Sequence, residues 1–252
     1  MTRTRTRGGS SVIEARAISK VGNRDINEDS IAVLSSNGNC CFVVADGLGG
    51  HGKGEVASQT LVKVFRRQFD TGDINHDSFL QTAFQAAQAE ILEDQAKRGE
   101  RFGMKTTAVA LTVADGKCRW GHIGDSRLYM FAKNKLYTRT LDHSVPQMLV
   151  MTKAIKARDI AHHPDRNRLL RVLGVEWDSP KYDLSEVYAS SDCQAFLLCT
   201  DGFWEHTDEK AMRSFLKKSC SVDEWLTLMT AAVEENARGR DMDNYSAIAI
   251  WL

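Results

Sequence analysis

Cys41-Phe42-Val43-Val44-Ala45-Asp46-Gly47-Leu48-Gly49-Gly50-His51-Gly52-Lys53-Gly54-Glu55 is an apolar run that stops at a carboxylate and opens into a glycine-rich turn. Such a run, bounded by turn residues, reads as a buried strand. Asp46 therefore stands at the mouth of that strand, where glycines let the backbone wrap closely around whatever the carboxylate holds. A metal ion or a phosphate is the natural guest. The same grammar recurs at Leu197-Leu198-Cys199-Thr200-Asp201-Gly202 and at Ile123-Gly124-Asp125-Ser126. A single strand-end Asp-Gly is most often a β-turn, with Asp capping and Gly supplying positive φ. Repetition shifts the reading towards a shared site.

Outward from these edges, runs rich in β-branched and aromatic residues near 12–20, 30–34, 41–45, 106–113, 118–124, 127–131, 135–139, 184–189, 195–200 and 245–251 give about ten strands. Between the third and fourth, Val56, Leu61, Val64 and Phe65, then Phe79, Leu80, Ala83, Phe84, Ala87 and Ile91, recur at helical spacing. A second helical pair falls at 208–218 and 222–236, where Trp225, Leu226, Met229 and Val233 form a core stripe. Asp115-Gly116 between two strands signals a hairpin. Helices grouped in pairs, and not alternating strand by strand, predict an α+β fold of two stacked, mostly antiparallel sheets with helices on the outside. Residues 142–174, with His143, His162, His163 and Pro164, read as an irregular insertion, and such insertions are usually functional or mobile.

The chain has 252 residues, 42% of them hydrophobic, enough for one large domain, which we place at 11–252. The basic stretch 1–10 lacks an apolar segment behind it, so it reads as a disordered tail and not as a signal peptide. Thirty-three basic and thirty-three acidic residues cancel, which gives a nucleic-acid partner no support, and no apolar run approaches the length of a membrane span. The six cysteines include no C-x-x-C pair; reduced thiols in a cytoplasmic protein fit best, and a thiolate zinc site does not.

The acids that end apolar strands or lie in turns are Glu28 and Asp29, in Arg24-Asp25-Ile26-Asn27-Glu28-Asp29, then Asp46, Asp125, Asp201 and Asp243, the last followed by Asn244 and the final strand. If those strands are sheet neighbours, the carboxylates converge and repel unless cations sit between them. Oxygen-only ligation favours Mg²⁺ or Mn²⁺ over Zn²⁺. Two such ions about 3.5–4 Å apart activate a water and clamp a phosphoryl group. Arg24, four residues before Glu28, offers a planar fork for phosphate. Each of these residues has an ordinary reading as a turn or a solvated loop, and only the set argues for chemistry.

The ordered set Arg24–Asp29, Val43–His51, Thr106–Ala110, Gly121–Tyr129, Leu141–Ser144, His163–Gly174, Leu197–Trp204 and Asp243–Ser246 resembles the metal-dependent Ser/Thr protein phosphatases of the PPM family (type 2C) in their compact bacterial form. The resemblance implies an αββα sandwich with a dinuclear Mg²⁺/Mn²⁺ centre. Asp46 would bridge both ions with the Gly47 carbonyl on one, Asp201 and Asp243 would complete the first site, and Glu28 would act at the second through water. Asp29 would support this shell, Asp125 with Asp201 would hold a labile third ion, Arg24 would bind substrate phosphate, and Asn244 would support the site beside Asp243. Two departures stand out. Larger relatives have a His after the Asp-Gly as proposed general acid, where this chain has Leu48, so His51 or metal-bound water takes that role; and Met151–Ile155 lacks the Gly common there.

The implied protein is a monomeric cytoplasmic enzyme acting on phosphoserine and phosphothreonine of proteins, opposing a Ser/Thr kinase. A catalytically silent phosphatase-like regulatory module is the alternative, and a set of carboxylates clustered without cations speaks against it. An unrelated two-metal nuclease would want a basic track, which is missing.

Overall fold

A computed structural model describes residues 2–8, 11–49, 53–72, 74, 78–99 and 103–252, with 2–8, 11 and 12 as backbone alone. The chain begins with strands β1 (Thr2–Gly8), β2 (Ser11–Lys20), β3 (Ser30–Ser36), β4 (Asn39–Ala45) and β5 (Gly47–Leu48), then helices α1 (Lys53–Thr71) and α2 (Phe79–Arg98). Strands β6 (Lys105–Thr106), β7 (Ala108–Ala114), β8 (Lys117–Ile123), β9 (Arg127–Ala132) and β10 (Lys135–Arg139) follow, then α3 (Val145–Met151). The remainder holds β11 (Asp183–Leu184), β12 (Tyr188–Ala189), β13 (Ala195–Cys199), α4 (Asp201–Trp204), α5 (Glu209–Lys218), α6 (Val222–Asn236) and β14 (Tyr245–Trp251).

One sheet runs β1-β2-β14-β13-β9-β10 and the other β11-β8-β7-β4-β3, with β12 also on β8 and a separate β5-β6 pair. Every pairing is antiparallel. Period-2 alternation then divides each central strand between two cores. Cys40, Phe42 and Val44 of β4 face the other sheet, where Leu128, Phe196, Leu198, Ile248 and Ile250 meet them. Cys41, Val43 and Ala45 point the opposite way, onto Leu61, Val64 and Phe65 of α1 and Phe84 and Ile91 of α2. On the far side Leu197, Ala247 and Ala249 pack under Trp225, Met229 and Val233 of α6. The layers are therefore helix, sheet, sheet, helix. All cysteines are free thiols.

The hairpin expected at Asp115-Gly116 joins β7 to β8 with φ of +47° and +70°, the left-handed pair that a type I′ turn requires. Two expectations change. The stretch taken as a disordered tail carries β1, which pairs with β2 from Thr2↔Ala17 to Gly8↔Ser11. Its Thr-Arg alternation, with a β-branched residue at every second place, is strand-like, and β2 offers an otherwise open edge. The strand expected over 184–189 is split into β11 and β12. Between them the Ser185 N–H donates to the Trp120 carbonyl (2.8 Å) while the Ser185 hydroxyl, in place of a backbone carbonyl, accepts from the Trp120 N–H (3.0 Å).

The 142–174 insertion contains α3 and a 3₁₀ turn, Ala157–His162, anchored by the buried Ile160. After α3, Lys153 takes the left-handed conformation at φ +61°. A left-handed non-glycine residue costs about 1 kcal/mol, so this turn is held by its surroundings.

Trp225 is fully buried, meets Phe131 edge-on at 5.5 Å, and donates from Nε1 to the Met212 carbonyl at 3.0 Å. Trp225→Ala should lower unfolding free energy by about 3–5 kcal/mol in chemical denaturation, through the cavity and the lost indole hydrogen bond together.

Candidate metal centre

Asp46 follows β4 and Asp125 follows β8 in one sheet; Asp201 follows β13 and Asp243 precedes β14 in the other. Because the sheets stack face to face, these strand ends meet at one edge. The carboxylates of Asp46 and Asp201 come within hydrogen-bonding reach of each other. Asp29, Asp125 and Asp243 lie close enough to act on Asp46 as well. Convergence of the strand-end acids, conditional on sheet adjacency in the sequence, is thus realised across two sheets.

Backbone contacts fix each position. The Asp46 N–H donates to Thr107 Oγ1 (3.1 Å), and its carbonyl accepts from Thr107 N–H (2.9 Å) and Thr106 Oγ1 (2.9 Å). A Cβ on Gly47 would stand 2.3 Å from the Gly54 carbonyl and 2.6 Å from the Glu28 oxygen, so only glycine lets the turn cross α1 here. Glu28 accepts the Gly54 N–H at Oε1 (3.2 Å), and its carbonyl takes Gly47 N–H (3.2 Å) and Ser58 Oγ (2.6 Å). The buried Asn244 accepts Glu28 N–H at Oδ1 (2.8 Å) and donates to the Val21 and Ile26 carbonyls (2.7 and 3.0 Å), tying the loop that carries Arg24 and Glu28 to the start of β14. Asp29 is buried and accepts from Thr200 Oγ1 at 3.0 Å.

Arg24 does not stand free. Its Nε and Nη2 fork onto the Asp243 carboxylate at 3.0 Å each, and Nη1 lies 3.6 Å from Asp241. His51 lies outside the described residues. Beside the acids is a cavity of about 330 Å³ lined by Arg24, His162, Arg166, Asp201, Glu205 and Asp243, so the insertion forms one wall. Thr106, Thr107, Thr200 and Ser58 carry much of this geometry, and sequence reasoning gave them no role. The available signal was Thr200, a hydroxyl between an apolar run and Asp201; Thr106, Thr107 and Ser58 adjoin no strand-end acid in the sequence.

Burial, then the charges of Asp201, Asp29, Asp125 and Asp243, pushes Asp46 well above the carboxylate range. Asp201 is raised by burial and Asp243, and Asp125 by burial and Asp201. Burial is also the first cause for Glu28, which rises, and for Asp29, which reaches about 8. Carboxylates packed this closely must hold protons or cations. Their all-oxygen donor set suits a hard divalent ion.

Residues 18–242 match the family model described as Protein phosphatase 2C. The chain belongs to the protein phosphatase 2C family. It is 33% identical over 207 residues to a serine/threonine phosphatase, stp, of Listeria monocytogenes, covering 80% of this chain and 81% of that one. The solved serine/threonine phosphatase Stp1 from Staphylococcus aureus superposes with a TM-score of 0.85 at 25% identity over 99% of this chain and 98% of that one. The catalytic domain of the protein phosphatase PstP in complex with two manganese ions superposes at 0.77 and 25% identity, over 95% and 97% of the two chains. This phosphatase 2C chain is accordingly a protein serine/threonine phosphatase.

A carboxyl raised in the folded state binds more protons there than in the unfolded chain, so its stabilising contribution is present at low pH and is lost as pH rises. For Asp29 the window runs from 3.8 to about 8. In EDTA the melting temperature should fall across that window. Mn²⁺ should restore it, with a larger gain near its upper end than near its lower end.

Proposed function

We propose that Asp46, Asp201 and Asp243, with the Gly47 carbonyl and Glu28, hold two Mg²⁺ or Mn²⁺ ions, and that Asp125 with Asp201 holds a third more weakly. The observation that carries this reading is the Asp46–Asp201 pair, two half-buried carboxylates within hydrogen-bonding reach, beside which lie Asp29, Asp125 and Asp243. Bound cations supply charge neutralisation, an activated water and a clamp on the phosphoryl oxygens. The protein supplies the frame: Gly47 and Gly54 bring α1 against the turn, and Asn244 sets the spacing of Glu28 and Asp243.

Arg24 takes the substrate phosphate. Its ion pair with Asp243 is half-exposed, each side chain being 45% accessible, and such pairs are worth about 0–1 kcal/mol, so the guanidinium exchanges one anion for another at little cost. The groove wall sets Arg24, Arg166 and Arg240 beside the acids Asp201, Glu205, Asp241 and Asp243, so cations bound to those acids would leave the arginines for the phosphate. We place the enzyme in the cytoplasm as a monomer opposing a Ser/Thr kinase, in keeping with five buried reduced cysteines and a balanced charge. No helix among the described residues is long and apolar enough to cross a membrane.

Asp46→Asn should abolish Mn²⁺-dependent hydrolysis of a phosphothreonine peptide while leaving a cooperative melting curve; near-normal turnover in the folded variant would remove the dinuclear assignment. Arg24→Ala should raise KM for the peptide more than it lowers kcat, because a fork present in ground and transition states alike gives mostly uniform binding. Steady-state kinetics decide, and a loss confined to kcat would contradict the role.

A further inference from the structure

His122, His143 and Asp183 form a second cluster of metal-capable side chains, their ligand atoms within 4.8 Å of one another. Its hydrogen bonds assign it another task. His143 Nδ1 accepts the Gly124 N–H at 3.2 Å, and Nε2 lies 3.1 Å from Asp183 Oδ2. A neutral imidazole has one lone pair and one N–H. Gly124 takes the lone pair and Asp183 takes the proton, which leaves His143 no lone pair for a cation. The Arg171 guanidinium, 3.2 Å from Asp183 Oδ1 and 3.5 Å from His143 Nε2, already supplies a positive charge there.

The two peptide groups that flank the Gly124 Cα are both held by this one residue. While the Gly124 N–H donates to the His143 ring, the Gly124 carbonyl accepts the His143 backbone N–H at 2.9 Å. Gly124 needs the grip. It stands at φ +95°, and a Cβ there would lie 2.6 Å from Thr107, so the turn has no side chain of its own to hold it. The next residue is Asp125, whose carbonyl accepts Trp204 Nε1 at 3.0 Å. With the peptides on either side of its Cα both tied, the Cα–Cβ direction of Asp125, and so the side from which its carboxylate enters the site, is fixed.

The His143 ring is itself held. It stacks on His122 at 4.7 Å and 16°, and His122 Nε2 bonds the Leu141 carbonyl at 2.8 Å. Burial pushes His143 below the ordinary imidazole value, consistent with a neutral ring. Beyond it, the His143 carbonyl accepts Leu170 N–H (2.8 Å) and the Val145 N–H reaches the Arg168 carbonyl (3.0 Å), so the return arm of the insertion is sewn to the same residue.

We infer that His143 is a positioning residue that fixes the Gly124–Asp125 turn and couples the insertion, through Asp183 and Arg171, to the carboxylate proposed above to hold the weak cation. The inference rests on that assignment of Asp125. Outer-sphere partners of this kind are worth about 10–100-fold in metal affinity.

The test separates the two ring nitrogens. In His143→Asn the amide oxygen takes the place of Nδ1 and can still accept from Gly124. In His143→Gln the amide nitrogen can still reach Asp183, but Gly124 loses its acceptor. Calorimetric Mn²⁺ titration of the full chain, beside melting in EDTA, should show His143→Gln weakening the weakest site about tenfold or more with the tight sites unchanged, and His143→Asn staying close to wild type. Equal behaviour of the two variants, or affinity losses that follow melting temperature alone, would overturn the inference. Asp125→Ala separates its failure from that of the parent reading: if the weak ion survives this change, the Asp125 assignment is wrong, whereas loss here with none in His143→Gln rejects His143. Should the variants not fold, a through-hydrogen-bond ¹⁵N–¹⁵N coupling from Gly124 to His143 Nδ1 in the wild-type protein is expected, and its absence rejects the proposal.

Discussion

Repulsion among carboxylates at one edge of the sandwich is the constraint on which the rest of the structure depends. Asp46 and Asp201 approach within hydrogen-bonding reach inside a shell that also contains Asp29, Asp125 and Asp243. Asp29 and Asp125 are buried and Asp46 and Asp201 half-buried, so water screens them only in part and the edge is unfavourable as anions alone and needs protons or cations. The fold supplies the rigidity that keeps the acids together against this repulsion. The two sheets interdigitate through Phe42, Phe196, Ile248 and their neighbours, and each sheet's outer face is covered by a helix pair.

That rigidity is delivered locally by groups that do not themselves carry the chemistry. Gly47 and Gly202 matter because a Cβ at either would run into backbone, at 2.3 Å from Gly54 and 2.2 Å from the Asn244 carbonyl respectively. Arg127 forks onto Asp142 with both side chains buried and lies over the Trp204 ring, and Trp204 in turn holds Asp125. A buried ion pair of this kind contributes more to geometry than to net stability, since desolvation offsets most of the attraction. The insertion is joined to the same network, through His143 above and through Arg166 to Glu205 on the cavity wall.

Much of this was legible in the sequence, for physical reasons. Strand-end acids announce themselves by position, because an apolar run that stops at Asp before Gly fits few folds cheaply, and the paired helices carried a strong 3.6-residue period. What the sequence hid was of two kinds. Partnerships between distant polar residues leave no periodic trace: Asn244 reads as a turn residue, yet it stitches Val21, Ile26 and Glu28. Arg24 reads as a free cation, yet it spends its fork on Asp243. Edge behaviour was hidden as well. A polar Thr-Arg repeat looks like a tail until a neighbouring strand offers it hydrogen bonds, and the break between β11 and β12 depends on one serine hydroxyl that takes a carbonyl's place.

The most direct measurement is the number of protons released when Mn²⁺ binds, obtained from calorimetry in two buffers of different ionisation enthalpy. If the carboxylates of this edge hold protons that cations replace, binding near neutral pH should release protons, and the release should shrink as pH rises past the raised carboxyl values. Binding with no net proton release at neutral pH would contradict the account, since the acids would then be ionised before any cation arrived.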